Sequence, residues 1–125
     1  MLLNFRRAVP GFLLVLTLLL AGCQSSEEKA EAYYQSGLEL LQEGDEDRAL
    51  VEFRNVFKYN GFHKEARKTY ADTLVKRGEL GEAYSQYLRL IEQYPDTVDV
   101  RMTLAEMSFD AGSWDEFARH GQAVV

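Results

Sequence analysis

The fold of this chain is decided by residues 30–93, which read AEAYYQSGLELLQEGDEDRALVEFRNVFKYNGFHKEARKTYADTLVKRGELGEAYSQYLRLIEQ. This segment contains one pattern twice, and a third copy begins at Val98. A glycine occupies the same place in each copy, at Gly44, Gly78 and Gly112, so the pattern repeats every 34 residues. A repeat of this length indicates a stack of similar structural units, each packed against its neighbours.

Each copy predicts two amphipathic helices joined by a tight turn. Leu38 and Leu41, with Tyr34 one turn earlier, recur at three- and four-residue spacing and therefore share one helix face. The second helix of the first copy has a similar face, formed by Ala49, Phe53, Val56 and Phe57. Gly44 can adopt the left-handed conformation that ends one helix, and Asp45 can cap the next. The prediction is an all-α chain.

Two further details predict local geometry. Small residues at one shared place, Gly37, Ala71 and Ala105, predict close approach of the paired helices. Ser113 and Glu116 have the spacing of a capping box at the start of a last helix over 114–125. An ordinary helical bundle would have similar amphipathic helices, but it would not require three glycines in register.

The pattern resembles the tetratricopeptide repeat (TPR) family, whose fold is an α-solenoid of antiparallel helix pairs. The residues that carry the resemblance are Ala30 to Tyr33, Gly37, Gly44-Asp45, Ala49, Phe53, Gly78-Glu79, Ala83, Tyr87 and the exit Tyr94-Pro95-Asp96. The sequence departs from the family pattern at Gly61, Arg67, Arg101, Phe117 and Gly121. The resemblance implies an array over 30–125, with units 30–63 and 64–97 and an incomplete unit 98–125.

A separate segment precedes the repeats. Arg6 and Arg7 stand before an apolar run over 12–21, which is too short to span a bilayer comfortably and fits the core of a signal peptide. The run ends in Leu20-Ala21-Gly22-Cys23, which resembles a bacterial lipobox. In lipoproteins the peptide before the cysteine is removed and the cysteine carries acyl chains such as palmitate.

We therefore expect a lipoprotein signal peptide over 1–22, lipid attachment at Cys23, and a flexible polar tether over 23–29. A plain secretory peptide or an uncleaved anchor is the alternative. Gln24 follows the cysteine, where an aspartate tends to retain enterobacterial lipoproteins at the inner membrane. The resemblance therefore implies a periplasm-facing protein of the bacterial cell envelope, with the outer membrane favoured.

Charge and composition exclude several functions. The net charge of −6 becomes more negative without Arg6 and Arg7, which argues against nucleic-acid partners and against recruitment by anionic lipid alone. Cys23 is the only cysteine, so no intrachain disulfide is expected. His63 and His120 are too few for a metal site and are expected at the surface.

The sequence predicts no enzyme, no cofactor and no metal, because it lacks a phosphate-binding glycine loop and a nucleophile motif. The alternative is a larger envelope enzyme whose catalytic domain lies beyond residue 125, with these repeats as its partner-binding arm. The incomplete third unit leaves the outer face of the last helix without a neighbour. That face predicts either a longer array or self-association.

The resemblance implies a partner-binding groove lined by the first helix of each unit. In the family, places two, five, nine, twelve and thirteen of that helix commonly point into the groove. These groove positions are Glu31, Tyr34, Leu38, Leu41 and Gln42, then Glu65, Lys68, Asp72, Val75 and Lys76, then Asp99, Met102, Glu106, Phe109 and Asp110. An acidic ladder of Glu31, Glu65 and Asp99 would suit an apolar segment with basic flanks. The alternative is that the acids are solvated and the apolar members pack against the neighbouring unit.

The expected function is that of a membrane-anchored scaffold which binds a protein or peptide partner. The strict spacing is nearest in style to long-array TPR lipoproteins associated with exopolysaccharide export or pilus systems.

Overall fold

The computed structural model of the protein describes residues 24–125. The predicted signal peptide, 1–22, and the predicted lipid-attachment residue, Cys23, lie outside the described residues. The described part consists of six helices without a strand: α1 Ser26–Gln42, α2 Glu46–Tyr59, α3 Lys64–Lys76, α4 Leu80–Gln93, α5 Val98–Asp110 and α6 Trp114–Gln122. None of these six helices combines the length and the apolar composition that a bilayer crossing needs. The predicted all-α repeat architecture is confirmed for this part of the chain.

The helices form three hairpins stacked in chain order. The closest packing is within the pairs α1–α2, α3–α4 and α5–α6, while α2–α3 and α4–α5 join each pair to the next. The turns inside the hairpins, 43–45, 77–79 and 111–113, form one edge of the stack, which we call the intra-hairpin edge. The start of α1 and the turns 60–63 and 94–97 form the opposite edge, which we call the inter-hairpin edge.

The turns inside the hairpins have the predicted glycine conformation. Gly44, Gly78 and Gly112 have φ angles of 82°, 79° and 70°, which a residue with a side chain rarely adopts. The Asp45 side chain accepts a hydrogen bond from the Arg48 backbone N–H and caps α2, as predicted.

The predicted capping box at the start of α6 was wrong. The Ser113 side chain makes no capping hydrogen bond. The Glu116 carboxylate accepts a hydrogen bond from Arg119 and lies 3.6 Å from His120 Nε2 instead. It therefore contacts its own helix face and the neighbouring core. The helix also ends at Gln122, three residues before the predicted boundary.

A capping box does occur at the start of α1, where the sequence analysis placed a flexible tether. The Glu28 backbone N–H donates to Ser25 Oγ, and the Ser25 backbone N–H donates to the Glu28 carboxylate. These two bonds satisfy N–H groups that a helix start leaves unpaired. The helix therefore begins at Ser26, and residues 26–29 are helical rather than part of the predicted flexible tether.

The core runs along the stack between the paired helices. Its largest fully buried apolar side chains are Phe53, Leu74, Leu90 and Leu104. The small residues that were predicted to allow close helix approach, Gly37, Ala71 and Ala105, are all buried. The first helices of the hairpins, α1, α3 and α5, each keep one face outside this core, and that face contains the groove positions.

Candidate functional site

The groove positions all lie outside the buried core. None of the fifteen is buried, whereas the same three helices bury Ala30, Ala71 and Leu104 on other faces. The family register therefore places these positions on accessible faces of α1, α3 and α5. Their individual environments differ strongly along the stack.

The apolar groove positions of the first unit are occupied by packing within the chain. The centroid of the Tyr34 ring lies 4.8 Å from that of the His63 ring and 6.1 Å from that of the Phe53 ring. Leu38 and Leu41 are partly buried against the main core. For these three side chains the alternative interpretation, packing rather than partner binding, fits the structure.

Two members of the predicted acidic ladder flank one histidine. Glu31 Oε2 lies 3.3 Å from His63 Nε2, and Glu65 Oε2 lies 3.7 Å from His63 Nδ1. Because His63 Nδ1 accepts a hydrogen bond from the Ala66 N–H and caps α3, Nε2 carries the proton and donates to Glu31. A hydrogen bond from the Gln35 amide lowers the pKa of the Glu31 carboxyl, and the bond from His63 lowers it further by a smaller amount. His63 was expected at the surface, but its ring is largely buried here because it both caps a helix and joins two units.

The third member of the ladder is paired with a lysine. Lys68 Nζ lies 3.0 Å from Asp72 Oδ2 and 3.8 Å from Asp99 Oδ2. The Tyr87 hydroxyl donates to Asp72 Oδ1 at 2.5 Å. Burial of Tyr87 and this bond to Asp72 raise the pKa of the tyrosine. The ladder is therefore not a row of free carboxylates, since Glu31 and Glu65 lie beside the His63 ring and Asp99 lies beside Lys68.

The remaining groove positions lie toward the intra-hairpin edge or on α5. Gln42, Glu106 and Asp110 are exposed, and Lys76 Nζ lies 2.5 Å from Glu46 Oε1 of the preceding unit. Met102 and Phe109 are 50% and 52% exposed, and Val75 is also exposed. Accessible apolar surface in the groove is thus concentrated on α3 and α5.

Phe109 belongs to an exposed aromatic cluster that sequence reasoning missed. Its ring centroid lies 5.3 Å from that of Trp114 and 5.6 Å from that of Phe117, in edge-to-face contacts. All three rings remain exposed. A signal was available, because Trp114 and Phe117 are three residues apart and follow a glycine turn that folds α6 back on α5. This aromatic cluster, Phe109, Trp114 and Phe117, continues the apolar part of the groove.

His120 is buried, contrary to the expected surface position. It is 2% exposed, and its Nε2 lies 3.2 Å from the Tyr84 hydroxyl, which in turn lies 3.2 Å from Ser108 Oγ. Its Nδ1 is buried without a hydrogen-bond partner. This network joins α4, α5 and α6, and its position could not be derived from the spacing of the two histidines. Over residues 24–125, no cluster of His, Cys, Asp and Glu has an arrangement suited to a metal ion.

Arg67 is a second buried polar residue that the sequence analysis noted only as a departure from the family pattern. It is 3% exposed, and its guanidinium donates to the Gly61 carbonyl at 2.9 Å and to Gln86 Oε1 at 2.6 Å. The guanidinium carbon stands 4.2 Å from the centre of the Phe57 ring. Burial lowers the pKa of Arg67. The residue fills the position of a bulky apolar side chain and joins the first hairpin to the second.

Comparison with known proteins agrees with the repeat geometry. Residues 40–107, more than half of the chain, match a family model described as tetratricopeptide repeat. No curated protein matches the chain significantly. The matched region runs from the end of α1 to α5 and includes the glycine turns at Gly44 and Gly78. The chain belongs to the tetratricopeptide repeat family.

Proposed function

We propose that this protein is a membrane-anchored scaffold of the bacterial cell envelope, which binds a partner protein or peptide through the α3 and α5 part of its groove. Protein–protein interaction is the general role of tetratricopeptide repeats. Here the binding surface lies on α3 and α5, and the partner is an apolar segment with basic flanks.

The observation that carries the proposal is the contrast between equivalent groove positions. Tyr34, Leu38 and Leu41 of the first unit pack within the chain, whereas Met102 and Phe109 of the third unit are about half exposed. Exposed apolar side chains that share one face mark binding surfaces, and aromatic anchors that become buried supply most of the affinity in such interfaces. The partner is therefore expected to place apolar side chains against α5.

The charges around this surface define the flanks of the partner. Asp99, Glu106 and Asp110 lie on the same helix as Met102 and Phe109, and of these three carboxylates Lys68 pairs with Asp99, while it also pairs with Asp72 of its own helix. A partner segment with lysine or arginine beside its apolar residues would complement these carboxylates, whereas an acidic segment would be repelled. We propose an apolar segment with basic flanks as the ligand.

The proposed anchor is the lipid on Cys23. The support is the sequence Leu20-Ala21-Gly22-Cys23 after a basic and apolar leader, together with the absence of any other cysteine from the chain. Two or three acyl chains give firm membrane attachment, at about 0.8 kcal/mol per buried CH₂ group. Gln24 favours the outer membrane by the same resemblance.

The groove is tested by partner recovery from detergent-solubilised envelopes of the source bacterium with the anchored protein as bait. Phe109→Ser removes an apolar anchor and should weaken the affinity about thirtyfold or more and lower recovery accordingly, since a central aromatic contributes roughly 2 kcal/mol or more. Val51→Ser is the matched control, because Val51 is 45% exposed but lies on α2, outside the groove. Equal recovery of the same partner by both variants would overturn the assignment of the groove to α5.

The anchor is tested independently by Cys23→Ala. The variant should accumulate as an unprocessed precursor or leave the membrane fraction, because it lacks the thiol that is acylated. Mass spectrometry of the wild-type protein should find an acylated N-terminal cysteine. A Cys23→Ala protein that fractionates with membranes at mature size would refute the lipid anchor.

A further inference from the structure

The inter-hairpin edge begins with an aromatic cleft beside the N-terminus of the described chain. The rings of Tyr33 on α1 and Tyr59 on α2 are stacked, with centroids 5.6 Å apart and planes at 11°. Lys29 Nζ stands 5.6 Å from the centre of the Tyr59 ring. A shallow cleft of about 430 Å³ lies between these groups, and its lining includes Gln24 and Glu52.

The same edge continues over the two turns between hairpins. Phe62, in the first of these turns, is 66% exposed. The Tyr94 hydroxyl donates to the Phe62 carbonyl, so the second turn is tied directly to the first. Lys64 Nζ lies 5.4 Å from the centre of the Tyr94 ring. We call this surface the aromatic edge, formed by Lys29, Tyr33, Tyr59, Phe62, Lys64 and Tyr94.

The intra-hairpin edge is acidic at its first turn and carries the exposed aromatic cluster at its third. The first turn and the start of α2 together contain four carboxylates within five residues, Glu43, Asp45, Glu46 and Asp47. Arg77 Nη1 bonds Asp47 at 2.7 Å, which ties the second turn to the first on this side. Trp114 follows the third turn and lies at this same edge. The two edges therefore differ in composition and are separated by the length of the helices.

We infer that the aromatic edge lies against the lipid headgroups of the membrane in which the chain is anchored. The inference rests on the proposed anchoring and adds an orientation to it. Gln24, which lines the cleft, follows Cys23 directly in the chain, so an acyl chain on Cys23 would hold this edge at the bilayer surface. A lipid on Cys23 cannot hold the intra-hairpin edge at the bilayer, because that edge is at the other end of α1.

The composition of the aromatic edge fits the headgroup region. Tyrosine combines an apolar ring with a polar hydroxyl and is enriched at membrane interfaces. Lysine can extend its ammonium group to lipid phosphates while its methylene chain covers apolar surface. The exposed ring of Phe62, two residues before Lys64 in the chain, would be removed from water on contact. Glu27, Glu28 and Glu65 also lie near this edge, so lipid charge alone would not recruit the chain from solution, and the contact orients a protein already anchored.

This orientation has a consequence for the groove. With the inter-hairpin edge on the membrane, the helix axes stand away from the bilayer and the turns at Gly44, Gly78 and Gly112 face the periplasm. The groove face of α5, including Met102 and Phe109, would then remain accessible to a partner beside the array.

The test uses the full-length acylated protein, reconstituted in vesicles of phosphatidylethanolamine and phosphatidylglycerol with brominated acyl chains. The native Trp114 reports on the intra-hairpin edge, since it is the only tryptophan in the chain. Phe62→Trp in a Trp114→Phe background moves the single indole to the aromatic edge. Fluorescence at position 62 should shift to shorter wavelength and be quenched by the brominated lipid. Trp114 emission should keep its wavelength and intensity and should be quenched by aqueous acrylamide.

Vesicle flotation separates the two ways in which the inference can fail. Protein that floats with vesicles while the indole at position 62 is quenched no more than Trp114 would overturn the orientation and leave the anchor intact. Protein that does not float would overturn both. Tyr59→Trp in the same Trp114→Phe background gives an independent indole on the aromatic edge, should the Phe62→Trp protein fail to fold.

Discussion

The α-carbon of Gly37 lies against the ring of Phe53, so that a β-carbon built at position 37 would stand 2.5 Å from Phe53 Cε1. This contact joins α1 to α2, and Phe53 is fully buried. The phenylalanine cannot turn aside easily, because side chains in a core are closely packed on all sides. The absence of a side chain at position 37 is therefore a requirement of the first hairpin.

Gly37→Ala should destabilise the protein despite the better helix propensity of alanine. Propensity favours alanine by about 1 kcal/mol, but overpacking against Phe53 costs roughly 1–3 kcal/mol. Gly81→Ala is the matched control, since Gly81 is helical and a β-carbon there would meet nothing within 4 Å. Thermal melts should place Gly37→Ala below the wild type and Gly81→Ala at or above it. The reverse order of melting temperatures would show that α1 and α2 can move apart at position 37 without loss of stability.

Arg67 should tolerate replacement by methionine better than replacement by alanine. Alanine removes the contact with Phe57 and leaves a cavity, which together cost roughly 3 kcal/mol. Methionine fills most of the volume and removes a charge whose burial is unfavourable, so its cost should be nearer 1 kcal/mol. Urea denaturation of the two variants measures the difference.

An exposed arginine provides the control for this pair. Arg54→Ala lies on an exposed position of α2 and should change the unfolding free energy by less than about 0.5 kcal/mol. If Arg67→Met were as unstable as Arg67→Ala, the hydrogen bonds to Gly61 and Gln86 would matter more than the packing.

His120 should make the stability of the third hairpin sensitive to acid. Burial lowers the pKa of His120 in the folded protein below its ordinary value of 6.5. The unfolded chain therefore binds the proton first as the pH falls, and the free energy of unfolding decreases from about pH 6.5 down to the folded pKa. The ring contacts the Tyr84 hydroxyl of α4, which in turn contacts Ser108 of α5, and it lies beside Glu116 of its own helix. Arg101 and Arg119 add positive potential.

His120→Gln isolates this contribution. The variant retains a polar side chain but does not titrate, so its unfolding free energy should change less between pH 7 and 5 than that of the wild type. The carboxyl groups are the same in both proteins, so the difference between the two pH profiles belongs to His120. Parallel profiles would show that the folded and unfolded states bind the His120 proton equally.

The repeat architecture was predictable because it depends on local and periodic signals. The left-handed turn at Gly44 and the cap at Asp45 follow from residue type and position alone. The burial of His120 and Arg67 was not predictable in this way, since each is fixed by contacts with residues distant in the chain, Tyr84 and Gln86 respectively. The capping boxes illustrate the same limit. Ser25 and Glu28 form one, while Glu116, with the same spacing from Ser113, is drawn to other partners.

The sequence predicted which residues face the groove, but not which of them are covered by packing within the chain. Family register placed Tyr34 and Met102 at equivalent places, and both lie outside the buried core. Only the three-dimensional packing distinguishes them, because Tyr34 contacts the core while Met102 is half exposed. A sequence repeat states which face a residue occupies, but the neighbouring units determine how much of that face remains available.

The last helix should open more readily than the rest of the array. Helix α6 buries only His120, whereas α4 and α5 bury four residues each, and repeat stability is a sum of unit and interface terms. Few buried contacts and exposed aromatic rings lower the free energy of local opening. Amide hydrogen exchange on the protein should therefore be fastest, among the helices, from Trp114 to Gln122 and slowest around Leu74 and Tyr87. The measurement should be repeated over a range of protein concentrations, because self-association through Phe109, Trp114 and Phe117 would protect α6 only at high concentration. Equal protection of α4 and α6 at every concentration would show that the network around His120 holds the last helix as firmly as a full hairpin interface.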